Sequence, residues 1–405
     1  MYKFFLIFIF STFLNTQPLF SQNDTLNMSV GTAFNSRNVL GVYNNLRTQN
    51  KSNVNFNLEY SKRSLSSQLS LNFDDHDKLS FDNSYVNYEK GIANLTIGKV
   101  DRIWSFSKKS SLILSSNSKP LEALSLRLEN KFNTNWLPSG ANWSFELING
   151  STRNSYNGKN SILSGARVVI SPSEKLNFEF LQSAQWGDQN DKLYSSNIDA
   201  LLFGNTNDGK NSNINQMAGF GLSYSVPLNK NTYRFYSQAI GEDEAGNLPS
   251  CYAWMAGLEV IVPKMKFPTT LTIEAIDTRI KKTSNGFCGA NTMYNNNTYD
   301  YINYDTVLGV PIDTESTSLE LFGQSQVNKN LSMNYSTKFL AINDKDFSFH
   351  RLSSKRSLGT ITTLGIHLEK DGFDLGGSIG YQNMLLDKAN ILNGTIFSLY
   401  TSVKF

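Results

Sequence analysis

The sequence predicts an all-β fold: a closed antiparallel transmembrane β-barrel of about eighteen strands, with sixteen as the alternative count. Three observations lead to this prediction. Stretches of alternating apolar and polar residues recur along the chain, the connections between them alternate in length, and the last stretch ends the chain on Phe405. A strand that faces lipid on one side and a wet lumen on the other has this alternation, because successive side chains point to opposite faces.

The final stretch, residues 397–405, shows the alternation most clearly. Its odd-numbered residues would lie on one face: Phe397, Leu399, Thr401, Val403 and Phe405. Serine, tyrosine and lysine side chains would occupy the other face. A terminal aromatic residue on such a strand resembles the C-terminal signal of bacterial outer-membrane barrels. We therefore expect outer-membrane lipid around the barrel, the barrel assembly machinery as a partner at this strand, and pairing of the last strand with the first.

Seventeen further stretches have a comparable pattern. The predicted strands cover residues 27–34, 53–61, 64–73, 80–89, 92–100, 121–130, 142–149, 161–170, 175–185, 216–227, 231–241, 251–262, 268–278, 315–325, 330–341, 358–368, 373–383 and 394–404. The hydrophobic content of 40% is low for a membrane protein with helical spans. It suits a barrel, because half of each strand faces the polar lumen.

The connections support the same topology. Short turns follow the even-numbered strands, whereas the longest connections follow odd-numbered strands and cover residues 35–52, 101–120, 186–215, 279–314 and 342–357. Residues 131–141 make one rather long inner turn. Short periplasmic turns opposite long external loops are typical of outer-membrane barrels. Both termini would then lie on the periplasmic side, with the long loops facing the cell exterior.

The N-terminus predicts export. Lys3 precedes an apolar run from Phe4 to Leu14, and a cleavage site follows at Ser21. We interpret residues 1–21 as a signal peptide, with a membrane anchor as the alternative, and residues 22–405 as a single barrel domain. The net charge of +3 is close to neutral for this length and indicates no nucleic-acid partner.

Cysteine and histidine residues are few. Cys251 and Cys288 are the two cysteines of an exported chain, so a disulfide is the favoured interpretation and two unpaired cysteines the alternative. Neither lies in a metal-ligand spacing, and we predict no metal and no cofactor. The three histidines, His76, His350 and His367, form no HExxH motif, and no GxSxG elbow occurs. The sequence thus shows no catalytic constellation, although folding could bring a serine and a histidine together.

Carbohydrate binding suits several motifs at predicted strand ends. Sugars bind to aromatic faces, while planar polar side chains bind their hydroxyl groups. The segments 99–104 (KVDRIW) and 185–188 (QWGD) offer both, and the segment 241–244 (GEDE) offers three carboxylates for hydroxyl groups or for a divalent cation. Each motif also has a structural interpretation: the tryptophans could belong to an interfacial girdle, and GEDE could be a solvated loop tip.

These motifs resemble the capsule assembly protein Wzi family. The resemblance rests on IGKVDRIW (97–104), SSLILSSNSKPLEALSLR (110–127), WSFELINGS (143–151), GARVVISPSEKLNFEFLQSAQWGD (165–188), NQMAGFGLSYSVP (215–227), YSQAIGEDE (236–244) and, more weakly, LGVPIDTES (308–316). It implies an eighteen-stranded outer-membrane barrel with a lectin-like role, tethering exported capsular polysaccharide rather than exporting it. By motif membership, the candidate polysaccharide-binding residues are Asp101, Arg102, Trp104, Trp186, Asp188, Gln216, Glu242, Asp243 and Glu244.

The chain departs from the family pattern near its N-terminus. The family's classical member has a periplasmic helical bundle that is believed to plug the barrel, whereas residues 22–60 here show no helical periodicity. The sequence therefore predicts that this plug is absent or reduced. Two alternatives follow: a ligand that is another surface polysaccharide, and a diffusion channel for small solutes, because eighteen strands can enclose an aqueous lumen. A barrel hydrolase that uses His76 or His350 is the third hypothesis.

Overall fold

A computed structural model describes residues 24–40, 52–74, 78–133, 137–138, 140–154, 160–187, 214–245, 248–283, 288–296 and 299–405. Eighteen long strands form one sheet. They are β1 Asp24–Asn35, β2 Ser52–Lys62, β3 Leu65–Asp74, β4 Tyr85–Lys90, β5 Ala93–Lys99, β6 Glu122–Lys131, β7 Asn142–Arg153, β8 Asn160–Ser173, β9 Leu176–Trp186, β10 Asn215–Leu228, β11 Asn231–Ala245, β12 Leu248–Val262, β13 Thr269–Asp277, β14 Thr317–Gln326, β15 Leu331–Ile342, β16 Ser357–Lys370, β17 Phe373–Asn383 and β18 Gly394–Lys404. The count of eighteen confirms the prediction.

The sheet is closed and antiparallel. Each strand pairs with the next in sequence, and β18 returns to pair with β1 in a register that runs from Ser29 opposite Lys404 to Asn35 opposite Ser398. A short strand, Leu79–Ser80, extends the pairing of β3, and a separate hairpin joins Ile302–Asn303 to Thr306–Val307. Closure leaves no free sheet edge, which is the condition for a sheet in lipid.

The two faces of the wall differ as the alternation predicts. On β18, Phe397 and Leu399 are exposed on the outer side, whereas Ser398 between them is buried on the lumen side. Trp254 is also exposed, and its ring packs against Tyr252, which in turn contacts Phe220. Among the described residues, no helix is both long enough and apolar enough to cross a bilayer.

The main cluster of buried apolar side chains lies inside the outer end of the barrel. It contains side chains of the connection 100–121, of the connection 278–316 and of the strand ends around them, such as Leu112, Tyr301, Leu308 and Met217. Described residues of the connections 100–121 and 278–316 have therefore folded into the mouth of the barrel. The sequence left open whether the lumen is open or plugged, and the structure shows side chains of the outer connections packed inside the barrel. Residues 24–35 and 52–60 belong to strands β1 and β2.

Candidate functional site

The connection between β5 and β6, residues 100–121, enters the lumen and packs against its wall. We call residues 104–115 of this connection the plug segment. Trp104 is only 1% exposed, and its ring lies so near Gly165 that a Cβ atom at that glycine would be 3.0 Å from two ring carbons. The backbone N–H of Trp104 donates to the carbonyl of Leu114 at 2.9 Å, which folds the segment back on itself. Glycine at position 165 thus allows the indole to pack against the wall.

Buried glutamates of the wall bind the plug segment. Ser107 Oγ donates to Glu274 Oε2 at 2.6 Å, Lys108 Nζ lies 2.7 Å from Glu259 Oε2, and Lys109 forms an ion pair with Glu320. A charge inside a protein is stable only when it is paired and hydrogen-bonded. The plug segment is therefore held by three specific polar contacts with three different strands.

Side chains of the wall also donate hydrogen bonds to backbone carbonyls of the plug segment. Arg234 donates to the carbonyl of Phe106 at 2.6 Å, and Arg167 donates to the carbonyl of Ser105 at 3.2 Å. Gln238 donates to the carbonyl of Trp104 at 2.6 Å and accepts from the N–H of Leu112 at 2.8 Å. These contacts satisfy backbone groups that would otherwise be buried without a partner. They give the segment one defined position.

The connection between β13 and β14 forms a roof over the plug segment. Tyr294 Oη donates to the carbonyl of Leu112 at 2.7 Å, and Tyr301 Oη lies 2.6 Å from Ser183 Oγ on the wall. The two tyrosine rings stack with their centroids 6.2 Å apart. Burial raises the pKa of Tyr294 well above its usual value, so its phenol stays protonated and keeps its proton for the hydrogen bond.

A disulfide fastens the roof to the wall. Cys251 on β12 is bonded to Cys288 in the roof, with their Cα atoms 5.4 Å apart. The pair predicted from the sequence is therefore formed. Since 37 residues separate the two cysteines, the bond links the roof to a strand that is distant in sequence.

Two further outer loops are bonded to the roof and to each other. Arg351, on the connection between β15 and β16, makes two hydrogen bonds with the Asp313 carboxylate, at 2.9 and 2.6 Å. On the same connection, Ser354 Oγ donates to Asp387 of the connection between β17 and β18 at 2.6 Å. This hydroxyl and the N–H of Ser354 lower the pKa of Asp387 to about 2. Described residues of these three outer connections are thus bonded in series.

The Asp313–Arg351 pair predicts a pH dependence. Burial alone would raise the pKa of Asp313, but Arg351 outweighs it and holds that pKa below its usual value. The pair therefore contributes stability above about pH 4, the usual pKa of an aspartate, and loses it as the pH falls through the lowered pKa. We expect Asp313→Asn to increase hydrogen exchange in residues 343–356 at pH 7, and the difference from wild type to shrink below about pH 4.

Asp371→Asn, in an exposed inner turn, is the matched control because it removes the same charge far from the roof. It should leave exchange in residues 343–356 unchanged at both pH values. An Asp313→Asn difference that is equally large at pH 3 and pH 7 would contradict the role of the ionised pair.

The structure places the first group of predicted binding residues around the plug segment. Asp101 is exposed at the outer end of the wall, but Arg102 next to it is largely buried. Arg102 donates to Ser125 Oγ at 3.0 Å and lies 3.6 Å from the Glu146 carboxylate. Trp104, buried as described above, has no ring face open to a ligand. Of these three residues, only Asp101 lies where a surface ligand can reach it.

The described residues of the second group lie on three consecutive strands, β9 to β11, at the outer end of the barrel. Trp186 is buried beside Ile214, with its Nε1 donating to Ser164 Oγ at 2.9 Å, and Gln216 lies opposite Ala184 in the neighbouring strand. Glu242 is buried on β11, which pairs with β10 so that Ala218 lies opposite Gly241, and its carboxylate accepts the backbone N–H of Tyr294 at 3.1 Å. Asp188 and the side chains of Asp243 and Glu244 lie outside the described residues. Trp186, Gln216 and Glu242 are therefore close together at the outer end, whereas Arg102 contacts Ser125 and Glu146 on β6 and β7.

The two described histidines, His350 and His367, each contact a neighbouring polar group of the protein. His350 is buried, with its Nε2 3.0 Å from the carbonyl of Thr314, and it helps to join an outer loop to the roof. His367 Nε2 lies 2.6 Å from Asp374 on the lumen wall near the inner end of β16. His76 is outside the described residues. No group of three His, Cys, Asp or Glu side chains that could hold a metal occurs in the described part of the chain.

Space remains in the lumen around the plug segment. One cavity of about 490 Å³ lies between Lys108 and Lys109 of the plug segment and the wall strands β13–β18. Another of about 660 Å³ lies beside Phe106 and extends to Lys131 and Asn142 at the inner end of the wall. The eighteen strands thus enclose a wide lumen that the plug segment fills only in part.

Sequence reasoning missed an aromatic pair on the outer surface. The rings of Phe347 and Phe349 stack with their centroids 5.0 Å apart, and Phe349 is 61% exposed. The pair lies on the connection 343–356, which the sequence singled out only for its length. Two phenylalanines in a polar loop, in the segment DFSFH (346–350), were the available signal.

The sequence and the fold are both similar to those of known proteins. The family model described as "Capsule assembly protein Wzi" matches residues 19–388, which is most of the chain. The chain belongs to the Wzi family. This Wzi-family barrel lies in the bacterial outer membrane, and its all-β closed fold is the one that the sequence predicts.

Solved structures agree with that assignment. Escherichia coli Wzi, described as an outer membrane protein involved in group 1 capsule assembly and a carbohydrate-binding β-barrel, superposes with a TM-score of 0.77. The identity is 19%, and the match covers 93% of this chain and 84% of that one. Pseudomonas aeruginosa OprD, another outer membrane protein, gives a TM-score of 0.54 at 11% identity, over 95% of this chain and 96% of that one. At these identities the likeness shows the fold.

A curated relative comes from Klebsiella pneumoniae. It is described as an uncharacterized 55.8 kDa protein in the cps region, and it is 29% identical over 191 residues. The match covers 46% of this chain and 38% of the Klebsiella protein. Less than half of that relative's length is therefore matched.

Proposed function

We propose that this outer-membrane barrel binds surface polysaccharide through its outer loops and assists the assembly or attachment of capsule, without enzymatic chemistry. One observation carries the proposal: the plug segment and the roof occupy the outer mouth and are bonded to each other and to the wall. Such a surface can hold a polymer, whereas a channel needs an open passage. Membership of the capsule assembly family supports the proposal, as does the description of E. coli Wzi as carbohydrate-binding.

The predicted residues receive different roles in this proposal. Exposed Asp101 is suited to direct contact with sugar hydroxyls, because a carboxylate accepts hydrogen bonds. Buried Arg102, Trp104, Trp186 and Glu242 would act indirectly, by fixing the loops that form the surface. We keep Asp188, Gln216, Asp243 and Glu244 as candidates for contact on the rim.

The two other functions receive less support from the geometry. A diffusion channel requires an open lumen, and the plug segment is held in the lumen by three paired or hydrogen-bonded glutamates. A hydrolase using His350 requires an accessible imidazole, and this one is 2% exposed. Both observations favour a binding protein.

We also propose how the chain reaches the membrane. Residues 1–21 would be removed as a signal peptide. The last strand would then be recognised by the barrel assembly machinery through Phe405, which is 59% exposed at the inner end of the barrel. The backbone N–H of Phe405 donates to the carbonyl of Met28 at 2.8 Å, so this residue completes the seam between the first and last strands.

Loss of the protein should release capsule from the cell. In cells lacking this chain, we expect most of the surface polysaccharide to move from the cell-bound fraction to the medium, with the total amount unchanged. The measurement is uronic-acid or total-sugar content of washed cells and of culture supernatant. The wild-type gene supplied in trans should restore retention. Unchanged cell-bound polysaccharide in the deletion strain would exclude the proposed function.

A further inference from the structure

Three consecutive inner turns carry lysines and no acids. They join β10 to β11, β12 to β13 and β14 to β15, and we call residues 227–231, 263–268 and 327–330 the basic turns. No aspartate or glutamate occurs in these segments. One sector of the inner end therefore has an excess of four positive charges, whereas the whole chain has a net charge of +3. The lysines are Lys230, Lys264, Lys266 and Lys329.

The acids on the strands beside the basic turns are paired with other cations. Glu259 on β12 is buried, with its carboxylate 3.0 Å from Arg234 and 2.7 Å from Lys108. Glu369, whose backbone N–H donates to the third basic turn, lies 3.4 Å from Lys404. The four lysines of the basic turns are exposed, and none makes a salt bridge in the described part of the chain. Their charge is therefore available to a partner.

The charge excess is limited to this sector. The next inner turn on one side contains Glu174 and Lys175, and the next on the other side contains Lys370 and Asp371, so each of these pairs is neutral. Six of the eighteen strands, β10 to β15, thus bear the excess. Exposed ammonium groups near one another gain from an added anion, because that anion relieves their mutual repulsion.

Exposed apolar side chains lie beside these lysines. Leu228 is 55% exposed and Met265 is 58% exposed. Phe267 is also exposed, and the centroid of its ring lies 5.4 Å from Lys266 Nζ. Lysine can place its methylene groups on an apolar surface while its ammonium group reaches an anion. The basic turns therefore suit a partner that has both anionic groups and apolar chains.

The turn between β12 and β13 has a defined backbone position. Pro263 and Pro268 stand at its two ends, and the proline ring restricts the backbone by fixing φ. The carbonyl of Pro268 accepts the N–H of Gln326 on β14 at 2.8 Å, and the carbonyl of Phe267 accepts Thr269 Oγ1 at 2.7 Å. The segment with two lysines, Met265 and Phe267 is thus fixed at the inner end of the wall.

The lipid-facing wall continues directly into the basic turns. Tyr224 on β10 lies opposite Phe235 on β11, and both are exposed on the outer side of the wall. Leu228 is four residues further along β10 and faces the same side, because side chains alternate along a strand. Aromatic side chains mark the level at which a barrel wall meets the headgroups of the bilayer. The basic turns therefore lie at the headgroup level of the inner leaflet.

We propose that the basic turns bind anionic phospholipid in the periplasmic leaflet of the outer membrane. The ammonium groups would bind anionic oxygen atoms of the headgroups, and Leu228, Met265 and Phe267 would pack among the acyl chains. A free phosphate ion or an anionic polymer in the periplasm has no acyl chains, so the exposed apolar side chains favour lipid as the partner. This inference concerns the end of the barrel opposite the outer loops and does not depend on the proposed function.

The test compares phosphatidylglycerol, which is anionic, with phosphatidylcholine of the same acyl chains. The full-length barrel is purified in detergent and stripped of lipid, and binding of each added lipid is measured by native mass spectrometry. We expect wild type and control to prefer phosphatidylglycerol, and the turn variant to lose roughly fivefold or more of that preference. The turn variant carries Lys230→Ser, Lys264→Ser, Lys266→Ser and Lys329→Ser. The control carries Lys281→Ser, Lys282→Ser, Lys345→Ser and Lys355→Ser, four exposed lysines on the outer connections.

A third variant separates lipid from a soluble anion. Met265→Ser with Phe267→Ser should weaken the binding of both lipids and leave the headgroup preference unchanged, because the charges remain while the apolar contact is lost. Added sodium chloride should lower the preference of wild type, since salt screens exposed charges. Inorganic phosphate at matched ionic strength should displace no more phosphatidylglycerol than chloride does.

Three results would overturn the inference. The first is an equal headgroup preference in the turn variant and the control. The second is unchanged lipid binding by the variant with Met265→Ser and Phe267→Ser. The third is displacement of phosphatidylglycerol by inorganic phosphate beyond the effect of chloride, because the site would then bind a soluble anion. All three variants change exposed side chains and should keep the wild-type shift between heated and unheated protein in gel electrophoresis, which reports a folded barrel.

Discussion

Replacing the plug segment, residues 104–115, by a short glycine–serine linker is expected to turn a silent barrel into a conducting channel. The wall encloses a wide lumen, and the plug segment fills its outer part through Trp104 and the contacts of Ser107, Lys108 and Lys109 with wall glutamates. An eighteen-stranded barrel without this segment is wide enough for water and ions. Single-channel recording in planar bilayers should show steady conductance that the wild-type barrel lacks.

A second variant controls for loop length in this experiment. It keeps twelve residues at positions 104–115 but makes all of them glycine or serine, so that the side chains that bind the wall are lost while the chain length stays the same. We expect intermittent conductance from this variant, because an unbound loop leaves the lumen for part of the time. Silence of both variants would show that the roof alone closes the barrel, and would contradict the role given to the plug segment.

Truncation of Trp104 should have the largest effect of any single substitution in the plug segment. Trp104→Ala would leave a cavity against Gly165 and is expected to cost about 3–5 kcal/mol, the usual effect of removing a buried aromatic side chain. This lost free energy should weaken the binding of the plug segment to the wall rather than the stability of the barrel strands. Hydrogen exchange of residues 104–115 should therefore accelerate, and the bilayer recordings should show brief openings.

Trp254→Ala provides the matched control. It removes the same side chain from a position that is 54% exposed on the outer side of the wall, so it leaves no buried cavity. Exchange in residues 104–115 and conductance should both remain at wild-type values. If the two alanine variants affect the plug segment equally, the packing of Trp104 against Gly165 is not what holds it.

The indole of Trp104 also shows where sequence interpretation reached its limit. In the segment KVDRIW, the tryptophan was a candidate for sugar stacking or for the interfacial girdle, and both alternatives place it on a surface. The structure buries it inside the barrel instead. The ring packs against Gly165, and the backbone carbonyl of Trp104 accepts from the Gln238 side chain, which is 134 residues away along the chain. No local pattern encodes a contact over that distance.

The sequence by itself determined the wall of the barrel. Strand alternation has a period of two residues, and the bilayer requires apolar side chains on one face and a paired backbone throughout, so each strand can be recognised from a few neighbouring residues. The alternating connection lengths gave the up-and-down order, and the last strand, ending at Phe405, indicated closure onto the first. The structure has each of these features, from eighteen strands to the pairing of Ser29 with Lys404.

Only the tertiary structure decided how the outer loops are arranged. Loops have no periodic pattern, and their positions depend on contacts between residues far apart in sequence, such as Ser107 with Glu274 across 167 residues and Arg351 with Asp313 across 38. Such contacts decided that the lumen is plugged from the outside. They also joined the connections 343–356 and 384–393, the first of which carries the exposed Phe349. Forming each strand is a local consequence of its alternating residues, whereas forming the outer surface requires the whole chain to be folded.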